Sequence, residues 1–346
     1  MRLVIEGFGK FVGKENELIV VKEKGKVVKR AKPDELRQVV IAGKTSISSD
    51  AINLMLKNAV DVVFIDRYGE VIGRLMHPFV STVKTRREQY LAYNDERSVT
   101  LAKEFVLAKL KNQISVLINL AKARKDSRPK VAEKLMSAKD EIKSSITKLK
   151  DVSGDKIDDV REEIFGIEGN ASQAYWNGLS LVFPPEYGFK GRRGLEPGQT
   201  RYAQDIVNAM LNYGYAILHS ECIRAVELAG LDPYAGFLHA DRSGRTSIAL
   251  DLMEEFRQQI VDRAVVKLIS YRQVKATECK MKNFVCILND SARRTLLGEV
   301  LKRLETKTQY MGKNLSYSLI ILQQARRIVS FLRNEKKYYS GFWQGW

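Results

Sequence analysis

Histidine is scarce in this chain of 346 residues, which contains only His77, His219 and His239. His239 stands out, because an apolar run precedes it and a loop rich in Ser, Gly and Arg follows it. An imidazole in such a setting can bind a metal ion or carry a proton. A histidine without such neighbours is more often structural, so we interpret His77 and His219 as structural.

Two acidic residues follow His239 on a predicted helix. Asp251 and Glu254 are three positions apart, so both project from one helical face. Large apolar residues surround them in the sequence, namely Ile248, Leu252 and Phe256. A carboxylate among such residues is costly unless it is paired or bound to a metal. Arg257 and Arg263 could pair with these acids, and the alternative is a charged helix surface with ordinary salt bridges.

Glu168 is a second acidic candidate. It lies among apolar and small residues, and the residues after it resemble a buried helix. The alternative is a glutamate at a helix N-terminus, where the helix dipole favours negative charge. Together, Glu168, His239 and Glu254 offer two carboxylates and one imidazole, a set that suits Mg²⁺ or Mn²⁺. Such a site in a basic protein favours metal-assisted chemistry at a phosphodiester.

The charge of the chain is strongly positive and uneven. The formal net charge is +17, from 58 basic and 41 acidic residues. Residues 81–130 carry 12 basic and 5 acidic side chains, and residues 271–346 carry 15 and 5. Residues 131–270 are mildly acidic. Two basic flanks predict a polyanionic partner such as nucleic acid, and the alternative is a lysine-rich surface of the thermophile type.

Composition excludes several classes of protein. Hydrophobic residues make up 45% of the chain, which excludes wholesale disorder. We find no apolar run long enough for a transmembrane helix and no secretory signal, so we expect no membrane association. The three cysteines, Cys222, Cys279 and Cys286, form no CxxC pair. This sparse set argues against a disulfide scaffold or zinc ribbon and predicts a cytoplasmic protein.

Residues 1–80 are predicted to form a small β domain with one helix. The helix covers Asp50–Asn58 and is capped by Ser48 or Ser49. Short runs of apolar and β-branched residues predict the strands, and a turn at Tyr68-Gly69-Glu70 predicts a hairpin. The predicted strands are Arg2–Ile5, Glu17–Val21, Lys26–Lys29, Gln38–Ala42, Val60–Ile65 and Val71–Leu75.

After Pro78 the apolar spacing becomes helical and remains so. Residues 81–97 are predicted to form a linker and a first helix, and residues 98–346 an all-α catalytic domain. The fold class is therefore α+β. The predicted helices are Thr85–Tyr93, Ser98–Ala123, Pro129–Lys150, Tyr202–Ala229, Ser247–Tyr271, Ser291–Leu304 and Ser316–Arg333.

Two further segments have distinctive compositions. Lys190–Gly198 is rich in Gly, Pro and basic residues, which predicts an exposed, mobile loop. The tail Tyr338–Trp346 contains five aromatic residues. It could stack on nucleic-acid bases, dock on its own domain or be disordered, and the sequence does not decide among these.

Several segments, in this order, resemble the CRISPR-associated endonuclease and integrase of spacer acquisition, the "Cas one" family. The resemblance covers essentially the whole chain. The most specific segments are Ala229-Gly-Leu-Asp-Pro through His239, and Ser247-Ile-Ala-Leu-Asp-Leu-Met-Glu-Glu-Phe-Arg257. The others are Asp66-Arg-Tyr-Gly-Glu-Val-Ile-Gly-Arg-Leu, Arg86-Arg-Glu-Gln-Tyr, Lys109-Leu-Lys-Asn-Gln113, Glu168-Gly-Asn-Ala-Ser-Gln-Ala-Tyr-Trp, Asn208 to Leu218 and Ile260-Val-Asp-Arg263.

The resemblance implies a site for Mg²⁺ or Mn²⁺ made from Glu168, His239 and Glu254. Asp251 matches the other acid of its motif and is expected to be a catalytic residue, as a supporting or occasional ligand. The family has Pro after Phe-Arg, where this chain has Gln258. That position lies beyond the ligand set, so the expected site stands.

The resemblance also implies partners and a reaction. The family forms a homodimer, and two dimers clamp a dimer of the small partner "Cas two" in a heterohexamer that holds double-stranded prespacer DNA. The 3′-OH of the incoming DNA attacks a phosphodiester of the CRISPR leader–repeat in a transesterification. The alternatives are a general structure-specific, metal-dependent nuclease of DNA repair, and a non-catalytic DNA-binding scaffold.

Five further residues are candidate DNA contacts. Arg245 follows His239 and could grip the scissile phosphate, and Arg257 is a second candidate. Tyr213 either lines the site or is a core aromatic residue. Arg192 and Arg193 either contact DNA or belong to a plain surface loop.

Overall fold

The computed structural model describes residues 2–66, 71–75, 83–193 and 202–345. The chain divides into two compact units, residues 1–79 and residues 80–346. The first is a sheet with one helix and the second is mostly helical, which confirms the predicted α+β class. In the described part of the chain, no helix is both long and apolar enough to cross a membrane.

The first unit is a six-stranded mixed sheet in the order β3-β2-β1-β4-β5-β6. Parallel pairing joins β1 to β4 and β4 to β5, and the other neighbours are antiparallel. The strands are longer than predicted at β1 and β4, because their apolar runs continue into polar residues that still pair. The strands are β1 Arg2–Glu15, β2 Leu18–Glu23, β3 Lys26–Ala31, β4 Gln38–Ile47, β5 Asp61–Ile65 and β6 Val71–Leu75.

Local chemistry explains the turns and the helix of this unit. Lys24 and Gly25 both have positive φ, which matches the twist of the β2–β3 hairpin. The Ser48 Oγ accepts the Ala51 N–H at 3.2 Å and caps α1, Ser49–Lys57. Ser48, not Ser49, is therefore the cap. The predicted turn at residues 68–70 lies outside the described residues.

The second unit contains α2 Val83–Ala92, α3 Glu96–Lys122, α4 Pro129–Asp151 and α5 Ile157–Ser180. Connections of a few residues make α3, α4 and α5 packed neighbours. Along α4, the buried residues recur every three or four positions, which explains how so polar a helix packs. Because α5 begins at Ile157, Glu168 lies in mid-helix, and the helix-terminus alternative for this residue is wrong.

The rest of this unit contains α6 Ile206–Leu228, α7 Ser247–Met253, α8 Arg263–Ser270, α9 Asp290–Glu305 and α10 Tyr317–Leu332. The predicted all-α domain is wrong in one respect, since two antiparallel hairpins interrupt it. They pair β7 Cys279–Lys282 with β8 Val285–Leu288, and β9 Lys307–Tyr310 with β10 Lys313–Ser316. Strands of four residues are too short to give a clear alternation of apolar and polar residues.

The predicted single helix Ser247–Tyr271 is also wrong. It breaks after Met253 into a turn over residues 254–256 and a π-helix, Gln258–Asp262, before α8. The neighbouring α6 lies very close to this π-helix. A Cβ atom on Gly214 would lie 2.5 Å from Val261 Cγ1, so only glycine permits this approach. Short π-helical segments are frequent at functional sites, and this one follows closely after the candidate acid Glu254.

Candidate active site

A cavity of about 420 Å³ lies in the second unit, between α3, α5, α6 and the irregular segment after α7. It contains the three predicted metal ligands, Glu168, His239 and Glu254. The structure thus brings together residues that are up to 86 positions apart in the sequence. The rest of the lining is Lys109, Gln113, Phe165, Ser172, Trp176, Arg192, Tyr215, Leu238, Arg257 and Gln258.

The two glutamates converge on one cation, the ammonium of Lys109. Lys109 Nζ lies 2.5 Å from Glu168 Oε1 and 2.7 Å from Glu254 Oε2. The Ser172 hydroxyl, one turn further along α5, donates to Glu168 Oε1 at 2.6 Å. On the other side, Arg257 Nη2 lies 2.9 Å from Glu254 Oε1, so Arg257 forms an ion pair with one of the two acids for which the sequence suggested it.

These cations keep the acids ionised despite their burial. Burial by itself raises the pKa of Glu254, but Arg257 and Lys109 outweigh it and lower that pKa to about 2. Burial also opposes ionisation of Glu168, whose pKa is nevertheless lowered by Lys109. The Lys109 pKa is raised by the two glutamates against its own burial. The cavity therefore presents two carboxylates at neutral pH.

His239 is held by Asp251 from behind. His239 Nδ1 lies 2.6 Å from Asp251 Oδ1, and Asp251 is completely buried. The same carboxylate accepts the backbone N–H groups of Phe237, Leu238 and His239 at 2.7, 3.1 and 2.9 Å. Because both Asp251 oxygens are engaged in this way, Asp251 orients His239 and lies behind it rather than among the cavity-lining ligands.

The donor set fits a hard divalent cation. Two carboxylates already share one positive charge, because Lys109 Nζ lies within 2.7 Å of an oxygen of each. The imidazole, held through Nδ1, has Nε2 left for a ligand. Among the described residues, no three His, Cys, Asp or Glu side chains are close enough to enclose a metal as they stand. Lys109 occupies the position between the acids, so a metal ion there would displace its ammonium.

Arg192 lies in a loop, as predicted, but its side chain is partly buried and lines the cavity rather than being fully exposed. Its guanidinium donates to Asn208 Oδ1 and Asn212 Oδ1, both at 2.9 Å. It also lies 5.9 Å from the Trp176 ring centroid and 5.5 Å from that of Tyr215. Burial lowers the pKa of Arg192. Arg193 is exposed, and the predicted loop residues 194–198 lie outside the described residues.

Tyr213 belongs to the core rather than to the cavity. It is 3% exposed within α6, and the cavity lining instead includes Tyr215, two positions further on. Arg257, by contrast, lines the cavity and lies 5.1 Å from the Tyr215 ring. Arg245 is partly buried in the loop after His239 and lies outside the cavity lining.

Sequence reasoning gave no role to Lys109 or Tyr215. A signal for Lys109 exists, because it lies four positions after Phe105 on the apolar face of α3, where a charged residue needs a buried partner. The Tyr215 hydroxyl donates to Asp262 Oδ1 at 2.5 Å, and no sequence feature marks that pair.

Of the two other histidines, His219 pairs with Thr246 Oγ1 at 2.8 Å through Nε2, and His77 lies outside the described residues.

A profile of the family "CRISPR associated protein Cas1" matches residues 3–302 of the chain. The match ends before α10 and the aromatic tail. A CRISPR-associated endonuclease Cas1 of Archaeoglobus fulgidus is 62% identical over 346 residues, which cover 100% of both chains.

Two solved structures resemble the fold. A casposase bound to an integration product has a TM-score of 0.82 at 26% identity, over 98% of this chain and 92% of that one. A chain of a Cas6-RT-Cas1–Cas2 complex has a TM-score of 0.75 at 20% identity, over 100% of this chain and 36% of that one. The family match and the full-length relative show that the chain belongs to the Cas1 family of CRISPR-associated endonucleases.

Proposed function

We propose that this protein is a divalent-metal-dependent DNA integrase and endonuclease of CRISPR adaptation. It joins the 3′-OH of a short prespacer DNA to the CRISPR repeat by transesterification. The attacking oxygen forms a bond to phosphorus while the bond from phosphorus to the 3′-oxygen of the repeat strand breaks. The proton lost by the attacking hydroxyl ends on that leaving oxygen. With water as the attacking group, the same reaction is hydrolysis.

One observation carries this proposal, namely that Glu168 and Glu254 converge on a single cation beside the His239 ring. Buried carboxylates that stay ionised at neutral pH are the ligands that Mg²⁺ and Mn²⁺ prefer. Glu168, Glu254 and His239 would hold the ion. When bound, it would polarise the phosphate and favour ionisation of the attacking hydroxyl.

The other cavity residues have roles that follow from their contacts. The Asp251 carboxylate accepts a hydrogen bond from the Nδ1–H of His239, which leaves Nε2, with its lone pair, as the ligand atom. Arg192 and Arg257 line the same cavity and can neutralise the charge that develops on the phosphate oxygens. Arg192 is held by two neutral amides, so its charge is available to an anion.

DNA is the substrate that the charge of the chain favours. The two basic flanks, residues 81–130 and 271–346, match a phosphate backbone. The casposase of similar fold is a protein solved with an integration product, which supports DNA joining over plain hydrolysis. We further propose a homodimer that assembles with a Cas2 dimer on double-stranded DNA. A Cas1 chain of similar fold occurs in a complex with Cas2.

The test is a strand-joining assay on branched DNA that carries a leader–repeat junction, with Mn²⁺, Mg²⁺ or EDTA. We expect metal-dependent joining by the wild type and a loss of at least about 100-fold in Glu168→Gln and Glu254→Gln. Mn²⁺ binding, measured by electron paramagnetic resonance, should weaken in parallel. Glu163→Gln is the matched control, because Glu163 is exposed on the same helix as Glu168.

Three results would contradict the proposal. Joining that persists in EDTA would exclude metal dependence. DNA binding without joining under every metal condition, with Cas2 present, would favour the DNA-binding scaffold. Cleavage of branched DNA with no preference for the repeat would instead favour a repair nuclease.

A further inference from the structure

The aromatic tail docks on its own domain, directly behind the candidate acids. Its segment 338–345 forms neither helix nor strand, yet Tyr339 and Phe342 are only 4% and 5% exposed. Tyr338 and Trp343, in the same segment, are 73% and 45% exposed. The tail therefore buries two of its side chains and leaves two others exposed.

The Tyr339 and Phe342 contacts support the least regular part of the second unit, which is the backbone just after α7. After α7 ends, the N–H groups of Glu254, Glu255 and Phe256 each bond to a carbonyl three residues back. The π-helix then begins at Gln258. The backbone that carries Glu254 and Arg257 is thus neither an α-helix nor a uniform turn. A stretch of this kind depends on outside contacts to keep one conformation.

Glu255 connects the tail to that stretch. Glu255 is fully buried, and its Oε2 accepts the Phe342 N–H and the Gln324 amide, both at 2.7 Å. Its Oε1 accepts the Tyr339 hydroxyl. The Phe342 ring stacks on Phe256 with centroids 5.2 Å apart and planes 9° apart. The two residues that follow Glu254 are therefore both in direct contact with the tail.

Asn112 connects the same tail to the helix of Lys109. Its amide nitrogen donates to the carbonyls of Glu255 and Phe342 at 2.9 and 3.0 Å. Its amide oxygen accepts from the Gln344 N–H at 3.0 Å and from Gln259 at 2.9 Å. Asn112 lies one turn after Lys109 on α3, so one side chain joins α3, the segment after Glu254 and the tail.

The tail also lies too close to α3 for most side chains. A Cβ atom on Gly341 would lie 2.7 Å from Ala108 Cβ and 2.8 Å from the Glu104 carbonyl oxygen. Ala108 directly precedes Lys109. The tail thus fills the space between the two elements that carry Lys109 and Glu254.

We propose that residues 339–344 are a positioning element of the acid site. Through contacts with Glu255, Phe256 and Asn112, they fix the positions of Glu254 and Lys109 relative to each other. They contact neither substrate nor metal themselves. The metal-binding part of this proposal rests on the proposed function. The backbone part does not, since it concerns only the conformation of residues 254–262.

The test compares Phe342→Ala and Tyr339→Phe with Tyr338→Ala, in the full-length protein. The first two variants lose contacts to Phe256 and Glu255, whereas Tyr338 is an exposed aromatic residue of the same tail that lies outside residues 339–344. We measure amide hydrogen exchange over residues 250–262, Mn²⁺ affinity by electron paramagnetic resonance, and the binding of duplex DNA. Tyr339→Phe keeps the ring and removes only the hydroxyl.

We expect faster exchange at residues 254–260 in Phe342→Ala and Tyr339→Phe and not in the control Tyr338→Ala. Mn²⁺ affinity should fall about tenfold, as for other residues that support metal ligands, while duplex binding stays within about twofold of wild type. If Phe342→Ala unfolds, Tyr339→Phe decides. Unchanged exchange and Mn²⁺ affinity in Tyr339→Phe would overturn the proposal.

The two proposals fail in distinguishable ways. If the wild type binds no Mn²⁺, the proposed function fails, while the exchange comparison still decides whether the tail orders the segment after Glu254. If the wild type binds Mn²⁺ and all three tail variants bind it equally well, the positioning role fails and the proposed function stands.

Discussion

Lys109 lies where a bound cation would lie, between two carboxylates of the cavity. Without a positive charge there, two ionised acids a few ångströms apart in a buried site would repel each other strongly. The ammonium therefore keeps the site assembled, and its long flexible chain would allow it to withdraw from the acids if a metal ion were to bind there. No local sequence feature assigns this role, because it depends on α3 meeting both acids in space.

The buried carboxyl of Asp262 should make the stability of the folded protein depend on pH. This carboxyl is completely buried and accepts the hydroxyls of Tyr175 and Tyr215 at 2.7 and 2.5 Å. Burial outweighs these hydrogen bonds and raises the pKa of Asp262 to about 6. Between pH 4 and pH 6 the folded protein keeps a proton that the unfolded chain has lost. The free energy of unfolding should therefore fall by about 3 kcal/mol as the pH rises through this window.

In Asp262→Asn this part of the pH dependence should disappear, because the amide does not titrate. Urea denaturation at pH 4, 5, 6 and 7 measures the difference between variant and wild type. That difference should shift in favour of the variant up to pH 6 and then level off. Asp140→Asn, at an exposed position of α4, is the control and should follow the wild type. A constant difference across all four pH values would contradict the assignment.

At the scale of elements, α6 and the π-helix meet at Gly214. A methyl group there would lie 2.5 Å from Val261 Cγ1. We expect Gly214→Ala to destabilise the protein by about 1–3 kcal/mol through overpacking, even though alanine favours the helix. Combining it with Val261→Ala should restore part of the loss. Thermal unfolding of both single variants and of the double variant measures this coupling.

Gly298→Ala is the matched control for that experiment. Gly298 is exposed on α9, with nothing within 4 Å of an added Cβ atom. There the substitution should be neutral or slightly stabilising, because alanine restricts the unfolded chain. If both glycine variants have the same stability, the close approach at Gly214 is not needed.

The elements were largely predictable and their interruptions were not. Periodic apolar residues predicted α1, α2, α3, α4, α6, α9 and α10 to within a few positions, because burial of one face follows from spacing alone. For α5, the sequence indicated a helix only after Glu168 and missed its start at Ile157. The break after Met253 was missed, since residues 247–271 have an unbroken helical spacing and tertiary contacts impose the π-turn. Residue types and their sequence neighbours made Glu168, His239 and Glu254 candidate ligands, and the family resemblance then implied the same set. The docking of the tail depends on Glu255, whose partners lie far away in the sequence.

At the scale of the whole molecule, the net charge of +17 predicts salt-sensitive DNA binding. The logarithm of duplex affinity should fall linearly with the logarithm of salt concentration, by about one unit of slope per neutralised phosphate. Replacing Lys280 and Lys282 by Gln, on the exposed β7–β8 hairpin of a basic flank, should make the slope shallower by about 2. Fluorescence anisotropy from 50 to 300 mM salt measures the slope.

The matched control replaces Lys143 and Lys148, which are exposed on α4 in the mildly acidic middle of the chain. It removes the same charge and should leave the slope within about half a unit of wild type. Equal slopes for the two double variants would mean that binding follows total charge rather than the basic flanks.

The hydrogen bond between Asn112 and Phe342 has a consequence for how the protein folds. It closes a loop of 230 residues, whereas α3, α4 and α5 meet through short connections. Closure of a long loop carries an entropic cost that local contacts avoid, so such a contact forms late. We therefore expect a refolding chain to regain most of its helical circular dichroism before Asn112 and Phe342 pair. With the positioning role proposed for the tail, nuclease activity should return later than the helical signal.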